Sequence, residues 1–117
     1  MLGRSQLASK NPIKRFIISV LMQAQQECAT ELIIGSAQTN GDTPIRYKVE
    51  GYWYDLAPFS SRMRTVVVAE IGRMTGFSRN QFPKDGVLSL TFEGTQVLWR
   101  VRIASQDAEC IFTRRDT

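Results

Sequence analysis

The spacing of apolar residues changes along this chain, and that change limits the folds open to it. Between residues 13 and 28, Ile13, Phe16, Ile17, Val20, Leu21, Ala24 and Cys28 recur every three or four positions. That spacing gathers them on one face of a helix. From Val97 to Ile103 the pattern alternates instead: Val97, Trp99, Val101 and Ile103 fall on one side, Leu98, Arg100 and Arg102 on the other. Period two is the mark of a strand with one buried face. A helix stripe and a one-sided strand satisfy each other by packing together, and 117 residues are enough for one such domain.

Local signals set the boundaries. Residues 1–10 show no periodicity and are expected to form a flexible leader, with one domain over 11–117. Asn11 can cap the first helix, with Pro12 in its first turn, where a missing N–H costs nothing. Leu32-Ile33-Ile34 reads as a short strand, and Thr39 to Pro44 as a reversal dense in turn formers. Ile45, Tyr47 and Val49 alternate with Arg46, Lys48 and Glu50 on a second strand, and Gly51 marks a bend or bulge before Tyr52-Trp53-Tyr54. A second helix starts at Ser60 or Ser61 and stops at Gly76, with Met63, Val67, Ile71 and Met74 as its stripe, widened by Val66. Leu88, Leu90 and Phe92 alternate inward up to a Glu93-Gly94-Thr95 hairpin turn, and Cys110 to Thr113 forms a last short strand. The expected class is α+β: helix, two strands, helix, then two or three strands, with helices on one face of a mainly antiparallel sheet.

Composition removes several chemistries. The chain has no histidine and two cysteines. Ser-His and Cys-His nucleophile pairs and a histidine general base are therefore excluded. Cys28 and Cys110 cannot close a tetrahedral thiolate site, which argues against structural zinc, and they do not make a disulfide scaffold. Both read as buried, reduced thiols of a cytoplasmic protein. Arg4, Lys10, Lys14 and Arg15 ahead of the apolar run 16–22 imitate a secretion signal. The glutamines that follow favour a helix stripe, and the run is too short to span a bilayer.

The net charge of +4 comes from 11 arginines and 4 lysines against 11 acids. Arginine suits bidentate contact with anions. No Gly-Lys-Ser/Thr follows the glycines of 35–42 and no GxGxxG is present, so the usual nucleotide cradles are absent. Glu31, Glu50, Asp55, Asp85 and Glu109 are scattered, and Asp85-Gly86 reads as a turn dipeptide. Arg100 and Arg102 project from one face of a strand, and Arg46 and Lys48 do so on another. If those strands were neighbours, a basic sheet face would result; the plainer reading is a sheet face that is simply wet. Tyr52, Trp53 and Tyr54 are the only aromatics free to be exposed beside the basic strands, which leaves nucleic-acid binding a distant alternative.

Six segments, taken in order, resemble the motifs of one known family. Ala29-Thr30-Glu31-Leu32-Ile33-Ile34 is similar to A-S-D-I-H-I, and Ile45 to Gly51 to V-R-Y-R-I-D-G. Ile71-Gly72-Arg73-Met74-Thr75-Gly76 resembles I-K-x-M-A-G, Pro83 to Gly86 resembles P-Q-D-G, and Leu98-Trp99-Arg100-Val101 resembles D-L-R-V. Glu109 with Arg114 resembles E-K-V-V-L-R. In this order, from about residue 12 to residue 116, the chain resembles the amino-terminal domain of the ATPases that drive type II secretion and type IV pilus assembly. The resemblance implies a PAS-like sheet with helices that, in the family, precedes a RecA-like motor and packs on a neighbouring subunit, with arginines reaching the motor's nucleotide. By position, Arg100 matches the strand arginine and Lys48 the second basic residue of V-R-Y-R. Val87 replaces the arginine after the D-G pair, Ile33 replaces the histidine, and the motor domain has no counterpart in these residues.

The resulting expectation is a non-catalytic module with no cofactor and no metal, cytoplasmic and bacterial, working at the inner-membrane face through its partners without inserting. Its partner would be a motor ATPase or a second copy. The contact candidates are Arg46, Lys48, Arg100 and Arg102. A small-molecule sensor, with Tyr52, Trp53 and Tyr54 lining a pocket for a nucleotide-type ligand, is the first alternative, and single-stranded nucleic-acid binding the second.

Overall fold

A computed structural model describes residues 11–76 and 82–115, so the expected leader lies outside the described residues. The order is α1 (Pro12–Gln26), β1 (Glu31–Ile34), β2 (Asp42–Val49), β3 (Tyr52–Ser60), a 3₁₀ turn (Ser61–Met63), α2 (Arg64–Met74), β4 (Lys84–Phe92), β5 (Thr95–Ile103) and β6 (Cys110–Arg114). The strands form one six-stranded sheet in the order β3-β2-β1-β6-β5-β4, every neighbouring pair antiparallel. It is an α+β fold, as the two apolar periods require.

The α1 boundaries follow from side-chain chemistry. Asn11 Oδ1 accepts from the N–H groups of Ile13 (3.0 Å) and Lys14 (3.2 Å), two of the donors that a helix start leaves orphaned. At the other end Ala29 N–H reaches back to Ala24 C=O and Cys28 N–H to Gln25 C=O, the paired bonds of a Schellman stop. Cys28 therefore has φ +60, a left-handed conformation usually given to glycine, and its side chain is exposed rather than buried. The helical stripe ends at Ala24, one turn sooner than the spacing implied, while Ile18 joins the core. Cys28→Gly is expected to raise stability by about 1 kcal/mol in urea unfolding, because it removes the Cβ clash of that conformation. A loss of stability would show that the thiol makes contacts that offset the strain.

The two tightest hairpins, β2–β3 and β4–β5, each turn on a Glu-Gly pair. Glu50 and Gly51 have φ +50 and +86, and Glu93 and Gly94 have φ +49 and +79, the geometry that matches strand twist. Of the bend or bulge expected at Gly51, the structure shows the bend, as a tight turn. Tyr52-Trp53-Tyr54 continues as a nine-residue strand paired with β2, whose irregularity lies instead at Pro44, between Thr43 and Ile45. Asp85-Gly86 is not a turn but the start of β4.

Both helices pack on one face of the sheet. Ile17, Ile18, Leu21, Ala24, Val67, Val68 and Ile71 from the helices meet Leu32, Ile34, Ile45, Leu88, Trp99, Val101, Ile103, Cys110 and Phe112 from the strands. Val66 does not widen the α2 stripe: it is 45% exposed and Val68 takes the inward place. No described helix is long and apolar enough to cross a membrane.

Candidate interaction surface

The helix-free face of the sheet carries the basic residues singled out by sequence, in two cross-strand rows. One row reads Trp53, Lys48, Glu31, Thr113, Arg100, Val87 from β3 to β4. The next reads Asp55, Arg46, Ile33, Ile111, Arg102, Asp85. The condition for a basic sheet face, that the two basic strands be neighbours, is therefore not met. β1 and β6 lie between them, which separates Arg46 from Arg102 by three strand spacings, about 14 Å.

Acids are interleaved with the bases. Arg100 makes a two-pronged contact with Asp85, Nε to Oδ1 at 3.2 Å and Nη2 to Oδ2 at 2.9 Å. Lys48 Nζ lies 3.4 Å from Glu31, and Arg46 Nη2 lies 3.9 Å from Glu109. Arg102 makes no carboxylate contact within 4 Å among the described residues, although it sits opposite Asp85 and its charge acts on that acid. The hydrogen bond from Arg100, helped by the nearby Arg100 and Arg102 charges, holds the Asp85 carboxyl below the usual carboxylate range. Its folded value is depressed, so its contribution is present above about pH 4 and fades as pH falls through the folded value. A carbon-detected NMR titration should show Asp85 as a low-titrating carboxyl that moves back to the ordinary range in Arg100→Ala. An unchanged titration in that variant would rule the contact out in solution.

The aromatic triplet splits between the two faces. Trp53 lies on the helix-free face, 40% exposed, with the Arg46 guanidinium 4.9 Å and the Lys48 ammonium 5.7 Å from its ring centre. Such contacts draw both cations towards the ring. Tyr54 is on the opposite face, where it stacks on Tyr47 at 5.7 Å, and it is 49% exposed because β3 is the sheet edge. Tyr52 is 70% exposed. None of the three lines either of two cavities on the described surface. One, about 180 Å³ and apolar, lies between Ile13, Phe16, Phe59, Met63 and Val67. The other, about 360 Å³, opens beside Ile33, Gly35, Pro44, Arg46, Asp55 and Glu109. Between sheet and helices, where a sensor would hold its ligand, Trp99, Phe112, Leu21 and Leu32 are packed without exposure.

Sequence reasoning passed over Arg64. It is 5% exposed, and its guanidinium binds no carboxylate among the described residues. Nε donates to Gly35 C=O at 3.0 Å, Nη1 to Gln106 C=O and Nη2 to Ala108 C=O at 2.6 Å each. One side chain from the start of α2 thus ties the β1–β2 loop to the β5–β6 loop. Nothing in the local pattern sets it apart from exposed Arg62, two residues earlier. A second link missed in the sequence joins the helices: Glu70 Oε1 accepts from Asn11 Nδ2 and from Arg73, both at 3.0 Å. Cys110, buried beside this region, has its thiol pushed up to about 11 by burial, against a smaller opposing pull from Arg64. It stays protonated at neutral pH and is a core residue, not a nucleophile.

No family model matches this chain, and no curated protein matches it significantly.

Proposed function

We propose that this domain is a non-catalytic interaction module that docks on a motor ATPase of the secretion or pilus type and couples to its movements. The order of six motifs along the chain supports the class of partner. The single observation that carries docking is the open β3 edge, with Tyr52, Trp53 and Tyr54 exposed in succession and Arg46 and Lys48 held against Trp53. An edge strand offers unpaired backbone groups to a partner, and aromatic side chains give contact area at little entropic cost. Arg100 and Arg102 lie on the same face farther along the sheet, where a larger partner would reach them.

The reading is tested with the purified chain and the RecA-like motor domain of a secretion ATPase. Saturable binding by titration calorimetry is expected, and Trp53→Ala should weaken it at least tenfold, the usual cost of losing a buried aromatic anchor. Unchanged stability of that variant separates docking from folding. Absence of binding, or ATP hydrolysis by the chain alone, would overturn the proposal.

A further inference from the structure

We infer that the cavity beside Asp55 and Glu109 is a binding site for a small organic cation, an ammonium or guanidinium on a short apolar stem. This inference does not depend on the docking proposal. The cavity measures about 360 Å³, within the range of small-ligand sites. Its lining carries one cation, Arg46, and two carboxylates, Asp55 and Glu109, so an anionic ligand would meet net repulsion.

Acceptor capacity remains on both acids. Glu109 meets Arg46 only at 3.9 Å, while the Arg46 guanidinium is also drawn over the Trp53 ring at 4.9 Å. Asp55 stands directly opposite Arg46 in the strand register but makes no ion pair or hydrogen bond among the described residues. A ligand cation supplies the donors these carboxylates lack, in a charge-assisted contact. Ile33, 8% exposed although it lies on the helix-free face, and Pro44 give the stem an apolar surface.

The walls are held in place before any ligand arrives. Arg64 binds Gly35 C=O on one side of the cavity and Gln106 and Ala108 C=O on the other, next to Glu109. Ser36 Oγ adds a 2.8 Å bond to Asp107 C=O across the same gap. Gly35 also has a steric reason to be glycine: a Cβ there would lie 2.8 Å from Pro44 Cγ. Ligand binding therefore does not have to order these two loops, which is where weak sites lose most affinity.

Agmatine, butylamine and butyrate, titrated into the full chain by calorimetry and proton–nitrogen NMR, provide the test. Saturable binding of agmatine and butylamine, with shifts centred on Ile33, Gly35 and Asp55, is expected, and none for butyrate. Affinity should fall as salt is raised. Asp55→Asn and Glu109→Gln should each lower it roughly tenfold, the equivalent of one charge-assisted contact. Both side chains are exposed, so the variants should fold normally, as checked by thermal melting. A capped arginine, N-acetyl-arginine methylamide, separates the two sources of such a cation: binding tighter than agmatine assigns the cavity to a protein side chain, weaker binding to a free amine. Equal binding of butyrate and butylamine, or affinity unmoved in Asp55→Asn and Glu109→Gln, would overturn the inference.

Discussion

Replacing Arg64 by alanine is expected to destabilise the domain by about 3 kcal/mol, more than any other charged residue on the molecule. The guanidinium is the shared donor for three carbonyls from two loops that are otherwise far apart in sequence. Each carbonyl that loses its donor without regaining water costs on the order of 1–3 kcal/mol, and partial hydration of the part-buried Gln106 and Ala108 groups keeps the total at the low end of the summed range. The position is otherwise unfavourable for a cation. It is the first residue of α2, where the helix dipole opposes positive charge, and it is almost wholly removed from water. Only the three bonds offset those costs. Lysine should recover little, since a compact ammonium cannot span three acceptors held in a planar fork. Guanidinium chloride unfolding of Arg64→Ala, Arg64→Lys and wild type measures this directly. A loss below about 1 kcal/mol for alanine would mean that the loops are held by other contacts.

Phe112→Ala should cost a similar or larger amount, about 3–5 kcal/mol, for a different reason. Phe112 has no exposure and sits on β6, opposite Leu32 of β1 and Val101 of β5. β6 is the strand through which the β1–β2–β3 half and the β4–β5 half of the sheet meet. A cavity there loosens the seam between two hairpin units rather than the interior of one. Unfolding by circular dichroism and by tryptophan fluorescence should therefore give one transition in the wild type. A shift of less than about 1.5 kcal/mol would show that the surrounding helices collapse into the space.

The elements that the sequence disclosed best are those in which each residue answers to its own neighbours. Asn11 with Pro12 marks the start of α1, and the alternation from Val97 to Ile103 marks both faces of β5 correctly, because caps and strand alternation are short-range facts. Where a residue's role depends on a distant partner, the pattern misleads. Asp85-Gly86 has the composition of a turn but is strand, since β5 supplies the pairing and Arg100 the counter-charge. Cys28 has the spacing of a core residue but closes a helix in a left-handed conformation. Gly51 suggested a bend or a bulge; it is a turn, forming a two-residue hairpin with Glu50, and β3 then runs on as a full edge strand.

The candidate site divides along the same line. Alternation alone sends Arg46, Lys48, Arg100 and Arg102 outward, and all four point to the helix-free face. Whether they form one basic surface depended on strand order, and β1 and β6 come between them. Neighbouring strands also brought Glu31 and Asp85 against Lys48 and Arg100, a pairing that no spacing within a single strand encodes.

The sequence by itself determined the α+β class, the two helical stripes in outline, the inward set of β5 and the absence of histidine. All of these rest on residue type and on periods of two or 3.6 residues, which any stretch of backbone imposes locally. Only the tertiary structure decided the sheet order, the buried fork of Arg64, the pairing of the surface charges and the mixed-charge cavity beneath Asp55. Those depend on contacts between residues tens of positions apart, where the cost of closing loops is set against burial and hydrogen bonding over the whole chain.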